Sequence, residues 1–448
     1  MPKSNNILDS FFSPKSVVLV GASDKRGKFG NQVIRNLKAI KYPGKIFPVH
    51  LSGKPILGLT AYRDIRSLPE VPELAVVLCS PEATVRVIKG CVNLGVKAIM
   101  VQCSGFSEVG SAGAKYEELV LRAIEGTDAR VIGPNTTGLS DLHSKFTTQI
   151  LPMRLTKPGS IAFLAQSGGL SGGLGWWETP SCRFSKCIAP GNAADLKEHD
   201  ILSYLGEDPH TNVIIVFLKT VRESSMLDVL QTVSKKKPVV VYCADNYWVS
   251  RLEESGAMVA PTYRELFSYA KIFSITKAAF REPNVALVSP SSGPIAIAVK
   301  SLNENGLKLA KMSQTSVDRL KGVGILRAEN PVDLWPPKTL SGDELYEKYM
   351  NTIDAFVKDD NVNAIMILYE AFKEIHFDFK KMLKGIDNLE KKPLVLACIQ
   401  LENKLADEVI KKAEEFNIPV YTDDIHAAMR SLRLYYEWWN QTAHKESQ

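Results

Sequence analysis

The chain has 448 residues, 45% apolar and 23% charged, with a formal net charge of +6. So small a surplus over that length excludes a basic nucleic-acid-binding arm, and no apolar run approaches the ~20 residues of a membrane span. The seven cysteines (79, 91, 103, 182, 187, 243 and 398) show no CxxC and no metal spacing, which points to reduced core thiols, no metal, and a cytoplasmic setting.

Short β-rich apolar runs alternate with helical patterns along the whole sequence. The first series predicts strands over 16–20, 45–49, 74–78, 97–102 and 129–132, with helices over 30–41, 81–95 and 112–126. The second series predicts strands over 160–164, 185–189, 212–217 and 238–242. The third predicts 284–289, 363–368, 393–398 and 418–421, then a closing helix over 424–440. Strands separated by helices imply doubly wound parallel sheets, so the fold class is α/β. Linker-like stretches at 145–158 and 274–284 divide the chain into 1–145, 146–278 and 279–448.

The stretch SVVLVGASDKRGKFGNQVIRNL (16–37) is a strand, a small-residue turn and a helix. Gly21, Gly27 and Gly30 do not make the GxGxxG spacing, and such a turn can also serve packing alone. The second strand is followed by His50, Ser52 and Lys54, with no acid to hold a ribose. That disfavours a nicotinamide dinucleotide. It favours a ligand with phosphate at this edge, neutralised by Lys54 and facing the free N–H groups between Ser23 and Gly30.

Several longer segments carry a resemblance. They are VVLVGASDKRGKFGNQVIRNL, PILGLTAYRDIRSLPEVPELAVVLCSPE, CSGFSEVGSAG, RVIGPNTTGL, GSIAFLAQSGGLSGGLGWW, APGNAADLKEHDILSYLGEDPHTNVIIVFL, NVALVSPSSGP and AENPVDLWP. Together they resemble the NDP-forming (ADP-forming) acyl-CoA synthetases, the superfamily of the succinyl-CoA synthetase α subunit. The resemblance implies an N-terminal Rossmann-like CoA-binding domain followed by two flavodoxin-like, succinyl-CoA synthetase-like domains. It implies a reversible reaction in which an acid, CoA and ATP give acyl-CoA, ADP and phosphate through an acyl phosphate. Coenzyme A is the cofactor. ATP/ADP with Mg is handled by an ATP-grasp module, which this chain does not show, so the implied partner is a separate ATP-grasp β-type subunit in a hetero-oligomer (a homo-oligomer being the other arrangement).

Carried residue by residue, the resemblance assigns CoA binding to Gly21, Ala22, Ser23, Lys25, Gly27, Lys54, Ser104, Gly105, Phe106 and Asn135. It assigns the phosphate or acyl group to Gln166, Ser167, Gly168, Gly169, Gly191 and Asn192, and a catalytic place to Glu198, which matches the family's Glu that stabilises the phosphohistidine; without that histidine Glu198 equally suits a solvated helix acid. The glycines serve close helix packing in the alternative reading, and Asn135 serves a turn. His50-Leu51-Ser52 stands where the family has Asn-Pro-Lys, Thr136 replaces its Cys, and Ser291 and Ser292 replace its paired glycines. Asp333 in NPVDLWP suits a helix cap.

The family carries its phosphoryl group on a loop histidine that follows the strand equivalent to 238–242. Here Tyr242 to Pro261 contains no His. His199, beside Glu198, is the nearest substitute by motif, although a helix-borne imidazole cannot swing between sites. His50 is placed to touch CoA, while His143, His210, His376, His426 and His444 have no recognisable setting. Tyr247, Trp248 and Arg251, with Trp176 and Trp177, suit either a pocket for a large or aromatic acid or plain packing.

Two readings follow. One is the α-like subunit of an acyl-CoA synthetase acting on a small carboxylic acid or acyl-CoA, without the histidine carrier. The other is a non-catalytic CoA or acyl-CoA sensor that regulates a partner.

Overall fold

The computed structural model describes residues 6–153, 157–173, 182–335, 342–370, 377–399 and 403–443. Each apolar run named above is a strand, because runs of Val, Ile, Leu and Ala fit a sheet covered on both faces. The first sheet holds β1 (Ser16–Val20), β2 (Lys45–Val49), β3 (Leu74–Val77), β4 (Ala98–Val101) and β5 (Arg130–Ile132). Its order is β2-β1-β3-β4-β5, and every pairing is parallel. That order reverses between β1 and β3, which opens a crevice at their carboxyl ends. Helices α1 (Ile7–Phe12), α2 (Phe29–Ala39), α3 (Pro81–Leu94) and α4 (Ser111–Ile124) accompany it.

The second sheet holds β6 (Leu139–Asp141), β7 (Phe146–Thr147), β8 (Ile161–Ala165), β9 (Phe184–Ile188), β10 (Val213–Leu218), β11 (Val239–Cys243) and β12 (Met258–Val259). Its order is β12-β11-β10-β8-β9-β6-β7. β8 to β12 are parallel, while β6 runs antiparallel to β9 and to β7. Helices α5 (Gly168–Gly172), α6 (Glu198–Glu207), α7 (Ser225–Val233) and α8 (Val249–Glu254) belong with it. β6 and β7 do not stand out in the sequence because two or three residues carry no periodicity.

These two sheets form one compact unit, and their inner faces share one apolar core. Phe12 of α1 stacks on Tyr204 of α6 at 5.1 Å, and the Tyr204 hydroxyl donates to Asp9 at 3.0 Å. Asn36 of α2 donates to the carbonyls of Gln149 and Leu151 at 2.7 and 2.8 Å.

The third sheet lies in a separate unit. It holds β13 (Asn284–Ser289), β14 (Lys308–Leu309), β15 (Val332–Asp333), β16 (Ala364–Tyr369), β17 (Leu394–Cys398) and β18 (Val420–Thr422), all paired in parallel. The closing helix is Ile425–Ala443. In NPVDLWP, Asn330 bonds the main chain of Leu287, Val285 and Ala310 at 2.9–3.0 Å. Asp333 is a strand residue paired with Arg327 at 2.6 Å, not the helix cap the sequence suggested. The motif therefore fastens strands.

The β6 edge of the second sheet depends on a buried ion triad. Lys186 on β9 is 3% exposed and sits 3.1 Å from Asp141 on β6 and 2.9 Å from Asp208 after α6. Removing one partner from a buried ion pair typically costs about 3–5 kcal/mol. Lys186→Ala is expected to lower the unfolding free energy by about that amount, read as a reduced urea midpoint at unchanged slope.

Candidate functional site

The site starts from a backbone contact at the end of β1. Gly21 has φ +95, and a Cβ there would stand 2.5 Å from the Leu78 carbonyl. A Cβ on Gly30 would stand 2.3 Å from the Gly21 carbonyl. Only glycine fits at both, so α2 starts hard against the turn and leaves the carboxyl end of the sheet open. Asn31 fastens this arrangement by donating to the Ser23 carbonyl at 3.0 Å.

A cavity of about 950 Å³ opens there, between the ends of β1 and β2, the loop at 63–66 and the outer face of α3. Val49, Leu51, Ile65, Val87 and Leu94 give it apolar walls. Arg63, Arg66, Arg86 and Lys89 give it a cationic rim. Asp64 is its one acidic lining residue and is held by Arg66 through two bonds of 3.0 and 2.9 Å. Those hydrogen bonds from Arg66 keep the Asp64 carboxyl below its usual value. Arg63, Arg86 and Lys89 have no ion-pair partner among the described residues, which leaves the cleft strongly positive. An apolar slot with a surplus of cations suits an aromatic base carrying several phosphate charges.

Gly21 and His50 line this cleft, as the sequence suggested. Ala22 is buried beneath it, and Ser23, Lys25 and Gly27 continue the turn, with Lys25 exposed. Lys54 is exposed and does not line the cavity. The four cations that do were missed. Arg63 sits in a loop and Arg66 in the one-turn 3-10 helix Ile65–Ser67, and only the three-residue spacing of Arg86 and Lys89, which shares one helix face, offered a signal.

The turn after β4 is already occupied. The Gly105 and Phe106 N–H groups donate to the Glu108 carboxylate at 2.5 and 3.2 Å. The Phe106 ring is fully buried and Ser104 is exposed. Asn192, on the turn after β9, reaches Glu108 at 2.7 Å, Glu117 at 2.9 Å and Ser107 at 3.1 Å. Asn135 (φ +59) donates to the side-chain amide oxygen of Asn192 at 3.2 Å. Asn192 therefore ties the second sheet to the first. Its amide is committed to carboxylates, so it does not stand free for the phosphate the sequence gave it.

Gln166 and Glu198 are likewise engaged. The Gln166 amide donates to Glu198 at 2.9 Å and to the Thr220 carbonyl at 3.0 Å, and its oxygen accepts from the Lys219 N–H at 2.7 Å. Glu198 is 5% exposed. Arg222 pairs with it at 3.1 Å and donates from the same nitrogen to the Gly191 carbonyl at 3.0 Å. A Cβ on Gly191 would meet the Pro134 carbonyl at 2.2 Å, and one on Gly168 would meet Thr137 at 2.4 Å, whereas Gly169 is unconstrained. Ser167 precedes the short helix α5 without capping it. His199 contacts Ser225 at 3.1 Å and lies 3.9 Å from both Glu223 and Asp200; its bond to Ser225 fixes it to α7.

The connection from β11 to β12 carries Tyr247, Trp248 and Arg251 and no His. Trp248 donates to Thr220 at 3.1 Å, and Arg251 stacks over Tyr247 at 4.6 Å and Trp248 at 5.3 Å. Trp176, Trp177, His376 and His444 lie outside the described residues.

The comparisons with known proteins agree with this layout. Residues 15–141 match the CoA binding domain family, and residues 158–247 match the succinyl-CoA ligase-like flavodoxin domain family. The chain is thus an α/β protein with a CoA-binding domain joined to a succinyl-CoA ligase-like domain. Its homologues include ADP-forming acetate–CoA ligases. Ligase II of Archaeoglobus fulgidus is 29% identical over 94% of this chain, which spans 65% of that protein's length. The ligase I subunit alpha of Pyrococcus furiosus is 28% identical over 98% of this chain and 99% of its own. The apo structure of a dinucleotide-forming acetyl-coenzyme A synthetase 1 from Ca. Korarchaeum cryptofilum superposes with a TM-score of 0.86 at 25% identity, covering 98% and 99% of the two chains.

The Glu108 bracket has a pH signature. Partial burial pushes this carboxyl up, but hydrogen bonds from Asn192, Gly105 and Phe106 outweigh it and hold it below the usual value. A lowered carboxyl stabilises the fold above its unfolded-state pKa, and that contribution disappears as pH falls through the folded-state value. Wild type is therefore expected to be more stable than Glu108→Gln at neutral pH, with the gap closing in the acid range. Urea unfolding of both proteins across pH checks this.

Proposed function

We propose that the chain is the CoA-binding, α-type part of an ADP-forming acyl-CoA synthetase. The observation that carries this reading is the positively charged, apolar-walled cleft at the carboxyl edge of the first sheet, in a chain whose second domain is of the succinyl-CoA ligase type. In this reading the apolar walls hold the adenine. Arg63, Arg86 and Lys89 neutralise the phosphates, and the Gly21 turn receives the pyrophosphate. The chain's full-length alignment with a relative named a subunit alpha supports a separate nucleotide-binding partner of ATP-grasp type. CoA attacks the acyl carbon of an acyl phosphate, the thioester forms, and phosphate leaves with the electrons of the broken C–O bond. Because residues 242–261 hold no His and His199 is fixed between α6 and α7, the acyl phosphate is made at the partner's nucleotide site without a histidine shuttle. The acid is a small carboxylate, and the protein works in the cytoplasm.

The internal commitment of Gln166, Glu198 and Asn192 favours the second reading to one degree: a chain that binds CoA or acyl-CoA without catalysing its formation. The experiment that separates them is a coupled assay for ADP release with an ATP-grasp β-type chain from the same source added, across a panel of carboxylic acids. ADP release that needs both chains, the acid and CoA supports the ligase. CoA binding without turnover supports the sensor.

Binding itself is tested by calorimetry with CoA. Arg86→Ala is expected to weaken CoA about 10- to 100-fold, the worth of one hydrogen bond to a charged group. Gly30→Val, which drives a side chain into the turn, is expected to abolish binding. Dephospho-CoA is expected to bind more weakly than CoA in wild type and to lose most of that difference in the Arg63→Ala, Arg86→Ala double variant.

A further inference from the structure

Cys79 and Cys103 are only partly buried, unlike the other five cysteines. They follow two neighbouring parallel strands. Val77 of β3 lies opposite Val101 of β4, and the Gln102 N–H still donates to the Val77 carbonyl at 3.0 Å. Continued two residues past those partners, the same register and two-residue alternation bring Cys79 and Cys103 abreast on one face. Neighbouring strands run about 4.8 Å apart, inside the ~4.4–6.8 Å Cα separation that a disulfide bridges. Thr84 of α3 holds the two together. Its hydroxyl lies 3.2 Å from the Cys103 sulfur and 3.3 Å from the Cys79 carbonyl. The Cys79 thiol leans on the Val20 carbonyl at 3.8 Å and lines the cationic cleft.

We propose that Cys79 and Cys103 form a thiol–disulfide exchange site for a low-molecular-weight disulfide that enters the cleft, with CoA disulfide as the reagent the cleft selects. The choice of reagent rests on the CoA reading; the thiol pair does not. The Cys79 thiolate attacks one sulfur of the reagent and expels a thiolate, which takes up the proton Cys79 has lost. Cys103, deprotonated in turn, attacks the Cys79 sulfur, forms the Cys79–Cys103 disulfide and expels the second thiol. Two protein thiols are oxidised, and one disulfide is reduced to two thiols. Burial raises both cysteine thiols above their ordinary value, so encounters from bulk find little thiolate. A reagent held in the cleft compensates through its high local concentration. The bridge ties the strand end under the cleft to the one that leads into the Ser104–Phe106 turn.

The test uses the reduced full chain, treated separately with CoA disulfide and with hydroxyethyl disulfide, which needs no CoA site. Peptide mapping is expected to find residue 79 joined to residue 103 with both reagents. Titratable thiols under denaturing conditions are expected to fall from seven to five, as two of the seven cysteines are consumed. With Cys103→Ser, one CoA is expected to accumulate on Cys79 and to be released by reductant. Failure of the 79–103 bridge with both reagents, or a bridge at other cysteines, overturns the proposal. A bridge with hydroxyethyl disulfide alone keeps the thiol pair and overturns CoA disulfide as its reagent; CoA calorimetry on the same sample then shows separately whether the cleft takes CoA.

Discussion

The contact between Gly30 and the carbonyl of Gly21 sets the geometry on which the rest of the first sheet depends. Two backbones touch there without a side chain between them. That places the first turn of α2 directly above the end of β1 and keeps bulk away from the point where the strand order reverses. The cleft exists because of that vacancy, and the chemistry of its rim comes from elements that converge on it from both sides. A Cβ at either position would close the turn before any ligand arrived, so the binding capacity of the whole unit rests on two hydrogen atoms in place of methyl groups.

The two sheet edges in this unit handle polar groups in opposite ways. At the first sheet, three cations face a cavity whose one acid, Asp64, is taken by Arg66, and they have no ion-pair partner among the described residues. At the second, nearly every polar side chain already has a partner: Gln166 with Glu198, Glu198 with Arg222, Arg222 with Gly191, Asn192 with Glu108 and Glu117. An edge with unmatched charge is prepared for an external ligand, whereas a saturated edge is prepared to hold its own shape. The network extends in sequence from Thr220 to Glu108 and so couples the second sheet's turns to the first sheet's β4 turn through bonds of ordinary length.

Much of the fold was legible in the sequence. Short Val- and Ile-rich runs bounded by Gly, Pro or Asn favour buried strands, and the glycines at 21 and 30 marked the turn. The short strands β6, β7, β12, β14 and β15 were invisible because their pairing is decided by neighbours rather than by their own residues. The site was only half legible. Gly21 and His50 announced the cleft, but Arg63, Arg66, Arg86 and Lys89 come from a loop and a helix face that only the tertiary structure brings together. Gln166 follows β8, Asn192 follows β9 and Glu198 opens α6. Their hydrogen bonds, which a sequence does not carry, show them as braces. Lys54 is exposed and lies outside the cavity lining.

The buried Lys186 bears on how such domains can be exchanged. Its two acids come from β6 and from the residue following α6, and β6 with β7 forms the outer edge of the second sheet although it follows directly on the last strand of the first. The natural seam between these sheets is therefore not a linker. A recombination event that moved the CoA-binding sheet to another protein and cut near residue 145 would carry β6 away with it, strip the lysine of Asp141 and bare the β9 edge. A cut beyond β12 would leave this triad and the β9 edge intact, so the first two sheets part at a greater structural cost than the second and third.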